Sequence, residues 1–185
     1  MARMIENPRQ LIMEHAKEIM YKEGYKKLSM RNVAKSCKIA LGTIYNYYPT
    51  KADLVTEMME EYWIEYFHTL KQSTTQRLDL FSRLKQVYME LSKFLNTFKE
   101  VWLSADLYDT PESLKKSLER EDIYMEKLVR FVESILLEEE KSNPSFHLRF
   151  SSYEIATFIV ANFITIIQMP FFKYESFEKL LKEVL

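Results

Sequence analysis

Glycine is almost missing from these 185 residues: Gly24 and Gly42 are the only two, and 143 residues follow the second without another. Glycine-rich phosphate loops and strand-turn-helix nucleophile elbows, which need a backbone free of side chains, are thereby excluded. Asn-Gly and Asp-Gly hairpin turns are also absent, and strand signals with them. The single cysteine, Cys37, rules out a disulfide framework and a thiolate metal cluster. His15, His68 and His147 are far apart and lack ligand spacing, so no metal and no cofactor is expected. Five prolines, at 8, 49, 111, 144 and 170, fall where helices would start or stop. No internal repeat or low-complexity segment appears. The expectation is an all-α protein that is not an enzyme.

What is present concentrates between residues 29 and 54. Ser29 is a suitable N-cap, because its hydroxyl can accept from a free backbone N–H. Met30, Val33, Ala34 and Cys37 recur at spacings of three and four, so they share one buried face and leave Arg31, Asn32 and Lys35 outside. Ile39 anchors the turn that follows. Ile44 and Tyr48 bury the inner side of a second short helix, while Thr43, Asn46 and Tyr47 point elsewhere. Pro49 cannot continue that helix and biases Tyr48 towards extended backbone. Thr50 and Asp53 then form a capping-box-like start for a further helix. Upstream, Asn7-Pro8 opens a helix with its inward stripe at Leu11, Ile12, His15, Ala16, Ile19 and Met20, closed by Gly24 as a left-handed C-cap. Residues 8–48 thus read as a three-helix unit containing a helix-turn-helix, whose second helix can lie in a DNA major groove.

Charge is divided in the same way. Through residue 55 there are 10 Lys/Arg against 5 Asp/Glu, a net of +5; the remainder holds 16 against 22, a net of −6. A basic head on an acidic body suits a protein that meets phosphates at one end.

The run Gly42-Thr43-Ile44-Tyr45-Asn46-Tyr47-Tyr48-Pro49-Thr50-Lys51 resembles the Gly-Thr-Leu-Tyr-x-His/Tyr-Phe-Pro-Ser-Lys pattern of the tetracycline-repressor (TetR) family of transcriptional regulators. The resemblance covers roughly residues 8–70 by motif, and the rest by architecture. It implies that Arg31 reaches a base or phosphate, and that Leu41, Gly42 and Thr43 form the groove-facing start of the recognition helix. It further implies that Tyr45 and Tyr47 pack on the sugar-phosphate backbone and that Lys51 pairs with a phosphate. Gly42 lets the backbone approach DNA closely. Arg31, Leu41, Thr43 and Asn46 are the candidates for base readout, and Ser29 and Lys38 complete the DNA-facing set. Three positions depart from the pattern. Lys38 stands where the family commonly has glycine, Ala40 replaces a capping Ser/Thr, and Leu41 replaces a usually polar residue, making an apolar contact such as a thymine methyl the expected one.

Beyond the head, helices are expected over about 50–71, 76–98, 99–107, 111–140, 151–169 and 173–185, with a loop at Ser142-Asn143-Pro144-Ser145. The expected organisation is a DNA-binding domain over 1–50, joined by a long helix to a ligand-binding and dimerisation domain over 51–185. Residues 155–172 pass without a charge. Their polar residues, Thr157, Asn162, Thr165 and Gln168, and the stop at Pro170 favour a helix buried on both sides over a membrane span. With the stripe Ile123, Leu128, Phe131, Ile135 and Leu136, it would build a two-fold four-helix interface, as the family does; the candidates there are Ile123, Leu128, Phe131, Ile135, Ile155, Ile159, Asn162, Phe163 and Ile166.

Aromatics make up 14% of the chain. Met58, Met59, Tyr62, Trp63, Tyr66 and Phe67 lie along one helix, and Phe94, Phe98, Trp102 and Tyr108 follow. In the family such helices enclose a small-molecule cavity; plain core packing is the competing reading for each residue. The pocket candidates are Met59, Tyr62, Trp63, Tyr66, Phe94, Phe98 and Trp102. The function expected from the resemblance is a cytoplasmic homodimeric repressor that binds a palindromic double-stranded operator and is released by a small, largely apolar or aromatic effector. A regulator governed by a protein partner, or by no ligand, is the alternative. A helical enzyme or carrier that merely contains a helix-turn-helix ranks last.

Overall fold

A computed structural model describes residues 7–74, 78–99, 111–169 and 171–185, with side chains outside 111–118. Among the described residues there are eight α-helices, one 3-10 turn and no strand. These are α1 (Pro8–Glu23), the turn Tyr25–Lys27, α2 (Met30–Cys37), α3 (Leu41–Tyr47), α4 (Lys51–Ser73), α5 (Leu80–Thr97), α6 (Pro111–Ser142), α7 (Ser152–Gln168) and α8 (Tyr174–Val184). The all-α expectation is met, and five of the six expected body helices appear within a few residues of their expected ends. The sixth, over 99–107, lies outside the described residues apart from Lys99. No helix among the described residues is long and apolar enough to cross a membrane.

Two compact units divide within α4. One runs up to Ile64 and takes in Phe98; the other holds Glu65–Thr97 and Leu118–Leu185. In the first, α1 packs on α2 and on the 3-10 turn, and α2 packs on α3. Its core comes from the expected stripes, with Ile12, Ala16, Val33 and Ile44 wholly shielded from solvent. Met13 is buried as well, which widens the α1 stripe beyond the expected set, while Leu11 and His15 are only half-buried.

Capping chemistry sets most of the boundaries. The Ser29 hydroxyl accepts from the Asn32 amide at 3.1 Å, as expected of an N-cap. Thr50 and Asp53 cap each other, with Thr50 N–H donating to Asp53 Oδ2 at 3.0 Å and Asp53 N–H to Thr50 Oγ1 at 3.1 Å. α5 starts at Leu80 rather than at 76 because Asp79 accepts from the Ser82 amide at 3.1 Å. Ser151 and Glu154 form a full capping box at α7, a Ser-x-x-Glu signal plain in the sequence. Two expected caps take a different form. Asn7 is left-handed (φ 52°) and its side chain donates to Gln10 rather than capping the backbone. Gly24 has φ 82° and ψ 169°, a region open to glycine alone rather than the αL cap expected.

The α2–α3 turn is a Schellman motif: Ile39 N–H reaches Ala34 C=O at 3.1 Å and Lys38 N–H reaches Lys35 C=O at 3.2 Å. Lys38 therefore occupies the left-handed position itself, with φ 56° and ψ 39°. A side chain there costs about 1–2 kcal/mol, a cost the Schellman hydrogen bonds and the packed flanks hold in place.

The second unit buries Leu84, Val87 and Leu91 of α5, Leu128, Val132 and Leu136 of α6, and Ile159 and Phe163 of α7. Aromatic rings fill the space beside α8. Tyr88 stacks on Tyr174 with centroids 4.5 Å apart, and Phe163 meets Phe177 edge-on at 5.7 Å. Polar ties join α6 to α7: the Ser152 hydroxyl donates to Glu133 at 2.8 Å and the Tyr153 hydroxyl to Glu126 at 2.7 Å.

Relief of the strained turn gives a direct check. Lys38→Gly is expected to raise unfolding free energy by about 0.5 kcal/mol, the relieved left-handed cost less the chain entropy that glycine adds. β-Branched Lys38→Thr should lower it by about 1 kcal/mol. Urea unfolding of the three proteins reads both changes; equal midpoints for all three would show that the turn carries no strain.

Candidate nucleic-acid interface

α3 has only seven residues, too few to hold itself together in water. It is held from one side. Ile44 and Tyr48, four residues apart, are buried, and Tyr48 ends the helix in extended backbone just before Pro49. Gly42, Tyr45 and Asn46 lie on the opposite, exposed side, with Leu41, Thr43 and Tyr47 half-buried between. Ala40 makes no side-chain cap, so the start of α3 offers its free N–H groups to solvent.

Gly42 has no conformational reason to be glycine. A Cβ built there would meet nothing within 4 Å, and the residue is helical. Glycine in a helix costs about 1 kcal/mol against alanine. The molecule carries that cost for no internal contact.

The basic groups divide by location. On α1, Arg9 pairs with Glu57, Lys22 with Glu18 at 2.6 Å, and Lys17 with Glu61 at 2.9 Å. Around α2 and α3, by contrast, Arg31, Lys35 and Lys38 are exposed and have no carboxylate partner among the described residues; the same holds for Lys26 and Lys27 in the 3-10 turn. Lys51 sits at the start of α4 with its ammonium 3.9 Å above the buried Tyr25 ring. The exposed cations without a carboxylate partner thus fall on the 3-10 turn, on α2 and on the turn that leads into α3.

One network fixes the far end of α3. Arg9 donates to both oxygens of Glu57, with the Nε contact at 2.9 Å, and the Tyr48 hydroxyl donates to Glu57 Oε1 at 2.9 Å. The Arg9 guanidinium also lies 5.1 Å from the centre of the Tyr48 ring. α1, the end of α3 and α4 thus meet on one carboxylate. Hydrogen bonding to Arg9 holds the Glu57 carboxyl below its ordinary range. Burial, followed by the bond to Glu57, drives the Tyr48 hydroxyl far above its own. Sequence patterning missed Arg9 and Glu57, since a charged pair 48 positions apart leaves no periodic trace. It also missed two further ties: Asn32 Nδ2 donating to Lys27 C=O at 2.7 Å, and His15 Nδ1 lying 2.8 Å from Ser36 Oγ. Cys37 is buried, and desolvation pushes its thiol up to about 11.

Residues 12–58 match the family model of bacterial regulatory proteins, tetR family. Over this stretch, which holds the helix-turn-helix, the chain is similar to the TetR family. It is 37% identical over 57 residues to an uncharacterized HTH-type transcriptional regulator, YuxN, of Bacillus subtilis (strain 168); the match covers 31% of this chain but only 20% of that one. The chain thus spans about a fifth of that curated relative's length. Likeness of fold extends beyond that stretch. A transcriptional regulator from Cytophaga hutchinsonii superposes with a TM-score of 0.73 at 17% identity, covering 97% of this chain and 95% of its own. The regulator FadR from Bacillus subtilis, solved in complex with stearoyl-CoA, gives a TM-score of 0.61 at 18% identity, covering 86% and 84%.

The remaining candidate residues are placed as follows. Trp63, Tyr66, Phe94 and Phe98 are buried, and Met59 and Tyr62 half-buried. Tyr62 and Phe98 lie 4.5 Å apart in the first unit, and Tyr66 and Phe94 lie 5.2 Å apart in the second. Trp102 and Tyr108 fall outside the described residues. Of the interface candidates, Leu128, Ile135, Ile155, Ile159, Phe163 and Ile166 are buried within the single chain. Phe131 and Asn162 are half-buried, and Ile123 is exposed. α7 is largely apolar, and Ile155, Ile159, Phe163 and Ile166 form the side it turns inward. The side left open carries Tyr153, Thr157, Phe158, Ala161 and Thr165.

The shared carboxylate sets a pH test. Its lowered pKa makes the Glu57 contribution complete above the unfolded carboxylate value of about 4.3, and that contribution is lost as pH falls through the folded value. Glu57→Gln should destabilise the protein at pH 7. The gap to wild type in melting temperature should close as pH drops from 6 towards 3, where the wild-type carboxyl is itself neutral. A gap independent of pH would remove the charge from this account.

Proposed function

We propose that the chain is a homodimeric TetR-family regulator that binds a palindromic operator, as a repressor released by a small, largely apolar effector. The unpaired cations on α2 and on the turn that leads into α3 carry this reading. Buried or paired cations cannot neutralise phosphates, whereas Arg31, Lys35, Lys38 and Lys51 can. Arg31, Leu41, Thr43 and Asn46 read base edges. Tyr45, Tyr47 and Lys51 hold the backbone and so fix the register, Ser29 and Lys38 flank them, and Gly42 lets α3 sit deep in the groove. A single seven-residue helix reads too few base pairs for useful specificity, so two copies read half-sites about one helical turn apart.

The open side of α7 suits a two-fold contact. Thr157, Ala161 and Thr165 are small and spaced four apart, which permits close approach of a second helix. Its polar groups are spent within the helix: the Thr157 hydroxyl donates to Tyr153 C=O at 2.8 Å, Thr165 to Ala161 C=O at 2.9 Å, and Asn162 Nδ2 to Phe158 C=O at 2.8 Å. The side therefore behaves as apolar, with Phe158 half exposed at its middle. For the effector, FadR of similar fold was solved with stearoyl-CoA, which supports a ligand with a substantial apolar part. Such a ligand acts only by preferring the conformer that misaligns the two α3 helices.

Selection of bound sequences from random duplex DNA should return a palindrome. Titration by fluorescence anisotropy should then show affinity falling linearly with log salt, and Lys51→Ala should reduce that slope by about 2 for a dimer. Gly42→Ala should raise stability by about 0.5–1 kcal/mol while weakening operator binding at least about tenfold. An alanine variant that binds as tightly as wild type would place α3 away from the groove. Phe158→Glu should convert dimer to monomer in analytical ultracentrifugation, with helix content unchanged. A variant that stays dimeric would put the contact elsewhere.

A further inference from the structure

Lys51 is held differently from the paired cations of the head. It is the first residue of α4, where the amide dipoles of the helix leave positive partial charge and disfavour a cation. No carboxylate among the described residues pairs with it. Its ammonium instead lies 3.9 Å from the centre of the Tyr25 ring, closer than Lys17 to Tyr62 at 4.7 Å or Arg9 to Tyr48 at 5.1 Å. Tyr25 is buried, and its hydroxyl makes no hydrogen bond among the described residues. The polar end of the side chain is therefore unused, and the ring face is the part that meets a charge.

Root and tip of the Lys51 side chain are both fixed. The root belongs to the first turn of α4, where the Thr50 hydroxyl donates to Asp53 Oδ2 at 2.7 Å and accepts the Asp53 N–H at 3.1 Å. The tip takes its place from Tyr25, and Tyr25 takes its own from the 3-10 turn. Leu28 N–H closes that turn on Tyr25 C=O at 3.0 Å, and Asn32 Nδ2 ties Lys27 C=O to α2 at 2.7 Å. The ammonium is thereby placed relative to α2, and through α2 relative to α3. A carboxylate would also hold it, but would cancel its charge, as Glu18 does for Lys22. An aromatic face holds an ammonium and leaves the whole positive charge to an outside anion. A free lysine gives up its rotamer freedom when it grips a phosphate, whereas a seated one has given up most of it beforehand.

We propose that Tyr25 is a positioning residue for DNA binding: its ring seats the Lys51 ammonium, with its charge intact, where a backbone phosphate of the operator meets it. This rests on the regulator reading above, to which it adds a buried residue that acts only through Lys51.

In the NMR spectrum of the full chain without DNA, the Lys51 Hε protons should be shifted upfield by the ring beneath them, in wild type and in Tyr25→Phe alike. Hε signals at the ordinary lysine position would remove the seat and the proposal with it. For DNA binding, phenylalanine carrying one, two or three ring fluorines at position 25 keeps the shape of the ring while draining negative charge from its face in steps. Against the selected operator, Tyr25→Phe should bind within about twofold of wild type, and the trifluorinated ring about fivefold more weakly than Tyr25→Phe for the two heads of a dimer. In the Lys51→Ala background the same series should be flat, because the ring has no cation left to act on. A flat series with Lys51 present would overturn the proposal. So would an equal fall in both backgrounds, because the ring would then act through the fold and not through Lys51. A wild-type chain that shows the shifted Hε signals yet selects no duplex refutes the regulator reading and leaves the Tyr25–Lys51 seat standing.

Discussion

Glu57 is where the head is tied together. A seven-residue helix has no stability of its own, so the direction of α3 is whatever its neighbours impose. Ile44 and Tyr48 supply the apolar contact, but apolar contact alone permits sliding. The Tyr48 hydroxyl and both ends of the Arg9 fork converge on one carboxylate, which fixes angle as well as proximity. Because Glu57 belongs to α4, a rotation of α4 about its axis at that point must carry the end of α3 and the start of α1 with it or break the three charge-assisted bonds that meet there.

Much of the head was legible beforehand because its signals are local. A serine cap, a stripe at three and four, a proline stop and a capping box each act within one turn of helix, and each was found where the residues put it. Lys38 was legible as well, as the residue standing where the turn requires left-handed backbone. The misses share a different character. Arg9 with Glu57 and Arg83 with Glu138 are long-range pairs, and a charge in a sequence gives no sign of which distant charge it will meet.

The body shows the complementary failing. Its helices are legible from the lack of glycine and the few prolines, but periodicity alone does not mark which side of α7 the chain itself buries. Hydrophobicity distributed all round a helix marks it as enclosed without saying by what. The size of the side chains was the available clue: Ile155, Ile159, Phe163 and Ile166 are bulky, whereas Thr157, Ala161 and Thr165 are small. Bulky residues maximise burial within a chain, and small ones favour approach between helices.

Cys37 has a consequence for how the head withstands chemistry. Burial pushes the Cys37 thiol up and so disfavours the reactive thiolate at pH 7. The thiol lies beneath the surface of α2, so peroxide and alkylating reagents find almost nothing to attack. A cysteine introduced on the outer side of α3 would be the sole site for attaching a fluorophore or a cross-linker.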